Sequence, residues 1–310
     1  DVTNNIKNDP YYSEIKGQKK TFDLATVSDK FQIVNSAKNN YMANLLSHKH
    51  RQVPVSIEGT TETQTVKSTK NAKEIISDVA QFFDKKGNIK DPSAFEEKVY
   101  DTLKDTHARR ELIKHFNLNS RENIDALIPG ITSEGGANNS QRDYNSYFAI
   151  GSVILNRTLG KNIKSAALAE AKGQAPEAAK KTTIKNILFE EGQFEVTWRK
   201  QGGSTLYDFQ KSLNNSFKKG TLGEGNSKES LEIAYEVAND VLSGMNKLSA
   251  EVNGTEQKNS GRTTADLFYF NQSRSNDYSK TANVDSAVAL IDKNNTHVFF
   301  KAWDKAAYFR

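Results

Sequence analysis

Apolar and aromatic residues recur at spacings of three and four in one stretch near the middle of the chain. They are Tyr144, Tyr147, Phe148, Gly151, Ile154 and Leu155. This spacing is typical of a helix, and a helix with so apolar a face must be buried by the rest of the chain. The pattern predicts a buried helix over residues 145–159 that ends at Gly160, and the remaining elements have to pack around it.

Shorter helical patterns precede this helix, and further patterns follow it. Residues 71–126 contain short amphipathic runs that predict a small helical module. Residues 228–248 predict a second long helix, and the alanine-rich residues 165–179 predict an exposed one. Three pieces rich in aromatic and β-branched residues predict short strands, at residues 194–198, 267–270 and 298–300.

These patterns divide the chain into three segments. Residues 1–70 show little periodicity and end in a threonine-rich run, which predicts an extended arm and linker. The helical module occupies residues 71–126. The third segment, residues 127–310, contains Pro129 and Gly130 near its start, and its first helix is expected to follow them. The predicted fold class is mainly α (α+β), with a small β element in the third segment.

The composition excludes several classes of protein. The 310 residues include no cysteine, which rules out disulfides, thiolate metal sites and cysteine nucleophiles. No apolar stretch approaches the ~20 residues that a membrane span needs. The net charge is +5, from 43 Lys and Arg against 38 Asp and Glu, and both signs are mixed along the chain. We therefore predict no membrane span and no nucleic-acid partner.

Other motif-like stretches lack the residues that their chemistry needs. His48 and His50 form a His-x-His pair, but the basic residues beside them indicate solvated side chains rather than zinc ligands. A calcium-like loop at residues 84–95 carries lysines at ligand positions and ends without the required glutamate. The glycines at 220–225 lack the ending of a phosphate loop. The sequence therefore predicts no metal and no cofactor.

Glu134 is the acid that the sequence singles out. It stands in Ile-Thr-Ser-Glu-Gly-Gly at residues 131–136, among small residues and just before the predicted buried helix. A substrate can reach a carboxyl group there while the group is partly desolvated, and desolvation raises its pKa toward the range of a general acid. The alternative is an acid that interacts favourably with the N-terminal end of a helix dipole. The local residues leave both interpretations open.

Five blocks of residues follow one another along the third segment. They are Glu-Gly-Gly at 134–136, Ala-Ile-Gly-Ser-Val-Ile-Leu-Asn-Arg at 149–157, a run at 183–194 that ends in Gln-Phe, Phe-Tyr-Phe-Asn at 268–271, and His-Val-Phe-Phe at 297–300. In this order they resemble the SleB-like cell wall hydrolase family of spore-cortex-lytic enzymes, over about residues 127–301. The chain departs from the family pattern in three places. Asn138 stands where the family's glutamate motif has a second acid, and the segments between Arg157 and Thr183 and around residues 248–264 are longer than in the family.

The resemblance implies a lysozyme-like catalytic domain. Such an enzyme cleaves the β-1,4 bond between N-acetylmuramic acid and N-acetylglucosamine in peptidoglycan, typically as a lytic transglycosylase with one catalytic glutamate, which here is Glu134. Gln193 and Phe194 would line the groove for the glycan strand on one side, and Tyr269 and Asn271 on the other. Core packing is the alternative role for Phe194. The implied location is extracellular, at the cell wall or in a phage virion.

A structural role is the second interpretation of the same sequence. A phage tail protein or an ejected virion component could keep a lysozyme-like fold as an assembly module. The predicted arm and helical module fit such a protein, and the arm would then contact other virion or tail proteins. We expect the arm to be ordered by another chain or by the body of the protein, because it contains few apolar residues.

Overall fold

The computed structural model describes most of the chain beyond the predicted arm. The residues described are 70–135, 144–190, 194–248, 251–252, 255–256, 263–272, 287–290 and 297–300. Helices make up 66% of this region and strands 5%, so the described part of the protein is mainly α, as predicted. The predicted arm and linker lie outside the described residues, apart from Lys70.

The helices of the described residues follow each other with short connections. They are α1 (Ala72–Ala80), α2 (Pro92–Lys104), α3 (Thr106–His115), α4 (Arg121–Glu134), α5 (Tyr144–Ala171), α6 (Ile184–Leu188), α7 (Leu206–Lys218) and α8 (Asn226–Leu242), with 3-10 turns at Pro176–Ala178 and Glu195–Thr197. Side chains cap several of them. Asn71, for example, accepts hydrogen bonds from the first turn of α1 while Glu74 bonds back to the cap backbone.

Helix α5 is the centre of the packing, as the spacing of its apolar residues predicts. Helices α1, α4, α6 and α8 all contact it, and 22 of its 28 residues are buried. The predicted end at Gly160 is wrong, because the helix continues to Ala171. A glycine costs a helix only about 1 kcal/mol, and burial of Ile163, Ala166 and Ala167 outweighs that cost. The predicted exposed alanine-rich helix is therefore in part the buried end of α5.

Helix α4 contains Pro129, which the sequence interpretation placed at a break between segments. The helix runs without interruption from Arg121 to Glu134, across the predicted segment boundary at residue 126. Leu127, Ile128 and Ile131 are fully buried on it. Their burial holds the helix together despite the ~3 kcal/mol that an internal proline costs. One cluster of buried hydrophobic residues extends from α1 through α8 to Phe299.

The described strands are short and antiparallel. Two two-stranded pairs are formed by β1 (Lys200–Gln201) with β2 (Ser204–Thr205) and by β3 (Glu251–Val252) with β4 (Thr255–Glu256). A three-stranded sheet has β7 (His297–Phe300) between β5 (Tyr269–Gln272) and β6 (Ala287–Leu290).

Two of the three predicted strand pieces correspond to β5 and β7. The third is wrong, because residues 195–197 form a 3-10 turn. The hydroxyl of Thr197 bonds to the carbonyls of Leu188 and Phe194 and holds this turn in place. Within the part of the chain that the structure describes, no helix is both long and apolar enough to cross a membrane.

Candidate active site around Glu134

Glu134 is the last residue of α4, at the point where this helix meets α5. The backbone N–H of Gly135 donates to the carbonyl of Ile131 and closes the final turn. The ring of Tyr147, fully buried on α5, packs directly on Gly135. A Cβ atom at that position would come within 2.3 Å of Cε1 of Tyr147, so only glycine allows this approach. The contact fixes the end of α4, and with it Glu134, against α5.

The surroundings of Glu134 favour a protonated carboxyl group. Burial is the main cause that raises its pKa, to about 8, the nearby charge of Glu195 raises it further, and Arg157 acts in the opposite direction. The residue as a whole is half-buried. Its position at the C-terminal end of α4 also disfavours a negative charge, because the unpaired carbonyls of a helix end carry partial negative charge. These surroundings therefore favour the protonated carboxyl group, which can act as a proton donor, over the carboxylate.

Arg157 is the cation of this site. It lies on α5, is almost fully buried, and its Nε donates to the carbonyl oxygen of Phe268 at 2.7 Å. Its Cζ atom lies 5.2 Å from the centroid of the Phe194 ring, a cation–π geometry. Because it is held on two sides, the guanidinium provides a fixed positive charge that can stabilise Glu134 once the proton has left.

A buried network of polar groups supports Arg157 from the interior. The amide of Asn156, next to it on α5, donates to the carbonyls of Thr264 and Leu267, both at 2.8 Å. Its Oδ1 accepts from Nη1 of Arg109 at 2.6 Å, which fixes the orientation of the amide. These bonds hold residues 264–267 against α5. The carbonyl of Phe268 consequently lies where Arg157 can bond to it.

The other residues of the predicted groove are placed only in part. Phe194 is 2% exposed, so its ring supports Arg157 and packs near Phe270, with 6.1 Å between ring centroids. Tyr269 and Asn271 lie on β5, where their backbones pair with Phe300 and Val298. Their side chains are outside the described part of the structure. Gln193, the remaining groove residue, and Asn138 of the glutamate motif also lie outside it.

Two charged residues of the site were not assigned to it from the sequence. Arg157 ends the second motif block and was given no catalytic role, but its charge acts on Glu134. Glu195 was given no role, although it directly follows the Gln-Phe pair of the motif. It is exposed and forms an ion pair with Arg199. Its position after Phe194, which lies under Arg157, is the sequence signal that could have indicated it.

The chemistry that this arrangement offers is proton transfer from Glu134, with charge stabilisation by Arg157. Among the described residues, no group of three or more histidines or acids is placed to hold a metal ion. Comparison with known proteins adds no constraint, because no family model, no curated protein and no solved structure matches the chain.

Proposed function

We propose that this protein is a peptidoglycan-degrading glycosidase with Glu134 as its catalytic acid. Its substrate is the β-1,4 bond between N-acetylmuramic acid and N-acetylglucosamine, and its reaction is that of a lytic transglycosylase on a lysozyme-like domain. The proposal combines the five motif blocks of residues 134–300 with the chemistry of one side chain. It places the protein outside the cell, at the cell wall or in a virion, with glycan strands as its partner.

One observation carries the proposal: a partly exposed glutamate whose pKa of about 8 keeps it protonated beside a fixed arginine. Cleavage of a glycosidic bond needs a general acid that still holds its proton at the working pH. The carboxylate that remains after the transfer needs a positive charge nearby, and Arg157 supplies it. An acid with only a structural role has no need of either property.

The reaction uses the same carboxyl group twice. Glu134 gives its proton to the glycosidic oxygen as the bond to C1 of the muramoyl sugar breaks, and N-acetylglucosamine leaves as the free alcohol. The Glu134 carboxylate then takes the proton from the C6 hydroxyl of the same muramoyl residue, and O6 bonds to C1. The product is a 1,6-anhydro end, and Glu134 is protonated again. Because the nucleophile belongs to the substrate, no second protein carboxylate is needed.

The test is mass spectrometry of the products formed from purified murein by wild type and Glu134→Gln. The variant keeps the size of the side chain but cannot donate a catalytic proton, so we expect turnover to fall by ~10²- to 10⁴-fold. Glu190→Gln is the matched control. Glu190 is bound to Lys161 rather than placed at the site, and this variant should cleave as wild type does.

The products and a further variant separate the mechanisms. Anhydro-muropeptides support transglycosylation, whereas ends with water added indicate hydrolysis. Glu195→Gln should retain most activity in a one-glutamate transglycosylase and lose it in an enzyme that also needs Glu195 as a carboxylate. Wild-type turnover by Glu134→Gln would refute the site, and the absence of any product from wild type would favour the structural, virion-assembly interpretation.

A further inference from the structure

Four large apolar side chains of the described region are exposed, and all lie between residues 189 and 209. They are Phe189, Trp198, Leu206 and Phe209, with between 39% and 56% of each side chain accessible. We call this group the aromatic patch. Three of its four members are aromatic rings.

The first part of the patch forms at the start of α7. Leu206 and Phe209 are three residues apart on this helix and therefore share a face. The ring of Phe189, just after α6, packs edge-on against Tyr207 with 5.0 Å between centroids. Tyr207 is buried, so it anchors Phe189 beside α7.

Trp198 reaches the same region through the hairpin of β1 and β2. The hairpin pairs Lys200 with Thr205. Trp198 precedes this pair by two residues and Leu206 follows it by one, so the two residues stand at the two ends of the same hairpin. The 3-10 turn at Glu195–Thr197 also contacts α7 directly. The patch is thus built on elements that are packed together.

The patch adjoins the candidate active site through one short turn. Trp198 follows Glu195 by three residues, about 6 Å along a 3-10 helix. Glu195 is close enough to Glu134 for its charge to act on that carboxyl group, and Phe194 lies under Arg157. A chain molecule that reaches Glu134 therefore has this patch within the length of a few sugar units.

We propose that the aromatic patch binds an N-acetylated β-1,4-linked glycan next to the candidate active site, with Trp198 and Phe209 as the platforms for sugar rings. This proposal rests on the proposed function, because it extends the path of the same substrate. A pyranose ring has an apolar face of C–H groups that packs on a flat aromatic side chain. Its hydroxyl and N-acetyl groups remain free to bond to polar side chains, such as those of Arg199 and Lys200, which follow Trp198 in the chain.

The size of the patch favours a glycan over a second protein chain. Four side chains that are each about half exposed offer on the order of 400 Å². A stable protein–protein interface needs about 800 Å² from each partner. Its rings stand on different elements, because Phe189 follows α6, Trp198 precedes β1 and Phe209 lies on α7. A narrow ligand that touches separate rings fits this pattern, whereas a broad apolar partner does not.

Binding is tested with the β-1,4-linked hexamer of N-acetylglucosamine by isothermal titration calorimetry, in the Glu134→Gln background so that no cleavage interferes. The double variant Trp198→Ala/Phe209→Ala should bind at least ~10-fold more weakly, because both ring faces are lost from the contact. The matched control Trp198→Phe/Phe209→Tyr keeps an aromatic face at both positions and should stay within about 3-fold of the parent. Circular dichroism and analytical ultracentrifugation accompany each variant.

The outcomes separate this inference from the proposed function. Weaker binding in the alanine variant alone, with an unchanged fold, supports the patch even if the wild type cleaves no murein. Equal binding by both double variants overturns the patch and leaves the proposed function standing if Glu134→Gln abolishes cleavage. No measurable binding by the parent also overturns the patch. A change from dimer to monomer in the alanine variant, with glycan binding unchanged, would overturn it in favour of a self-association surface.

Discussion

The interior around Arg109 and the end of α4 around Glu134 both bury an ionisable group, with opposite results. Burial lowers the pKa of Arg109 to about 9, so the guanidinium is still charged at neutral pH. Burial raises the pKa of Glu134 to about 8, so the carboxyl group is mostly neutral there. Arg109 is fully enclosed and bonds to Asn156, whereas Glu134 is half-buried at the end of its helix. Burial thus disfavours the charged form of both groups, but it leaves Arg109 charged and Glu134 protonated.

The difference has a physical basis in what each group faces. Arg109 cannot exchange its proton with a substrate, and its charge is used to orient one amide. Nε and Nη2 of Arg109 have no hydrogen-bond partner within the described structure, so the bond to Asn156 carries more weight. The charge of Glu195 raises the pKa of Glu134 and the charge of Arg157 lowers it, so a change in either charge shifts the protonation state of Glu134. Burial alone therefore does not distinguish the two sites, whereas the exposure of the residue does.

The largest effect on stability is expected from Asn156→Leu, which disrupts the enclosed site around Arg109. The substitution leaves the charge of Arg109 without its bond and two carbonyls, those of Thr264 and Leu267, without their donor. We expect the free energy of unfolding in urea to fall by ~3 to 5 kcal/mol. Asn162→Leu on the same helix is the control. It removes only two neutral bonds, to Thr182, and should cost ~1 to 3 kcal/mol. Equal losses would mean that the Arg109 charge contributes nothing.

Glu134→Gln should raise the free energy of unfolding, whereas Asn156→Leu lowers it. The size of the increase depends on pH. The pKa of Glu134 rises from 4.5 to about 8 on folding, so the folded state holds the proton more tightly than the unfolded state. This contribution to wild-type stability is fully present below pH 4.5 and is lost as the pH rises through 8. The variant has no ionisable group at this position, so its stability does not fall as the pH rises through 8. Since the residue is half-buried, the variant should be more stable than wild type by roughly 2 kcal/mol at pH 8 and equal to it near pH 4. Parallel stability curves from pH 4 to pH 9 would contradict a buried, titrating Glu134.

The smallest effect is expected from Glu195→Gln, which isolates one of the charges that act on Glu134. Removal of the negative charge should lower the pKa of Glu134, because Glu195 raises it. Glu195 is exposed and its charge acts partly through water, so we expect a decrease of about half a pH unit. Carbon-13 NMR titration of the Glu134 carboxyl group measures it. Glu190→Gln should leave this pKa unchanged, and a decrease of equal size in both variants would mean that the effect is not local.

Strong hydrophobic periodicity allowed the helical part of this fold to be predicted. The apolar face of α5 identified the central helix, but the sequence could not show that Gly160 lies inside it. That outcome depends on burial of the next turn, which is a tertiary effect. The break predicted at Pro129 is wrong for the same reason. A local breaker is recognised from the sequence, whereas the packing that overrides it is not.

Part of the candidate site could be proposed from the sequence, where the residue type and its immediate neighbours indicate a chemical role. Glu134 among small residues indicated an accessible acid from the sequence alone. Arg157 and Glu195 were not assigned to the site because each looks ordinary in its own stretch of sequence. They reach Glu134 only because α4, α5 and the turn after Phe194 meet. Proximity between segments that are distant in the chain has no local pattern to reveal it.

The position of β7 at the centre of its sheet sets an order of assembly. β5 and β6 flank β7 and are synthesised before it, so neither has its partner until residues 297–300 have left the ribosome. Phe299 of β7 packs on Phe270, which in turn packs near the ring under Arg157. The helices precede β7 in the chain and can form during synthesis. The packing of Phe299 on Phe270, beside the Phe194 ring under Arg157, is then still incomplete. The surroundings of Glu134 and Arg157 are thus complete only after β7 has been synthesised and has paired with β5 and β6.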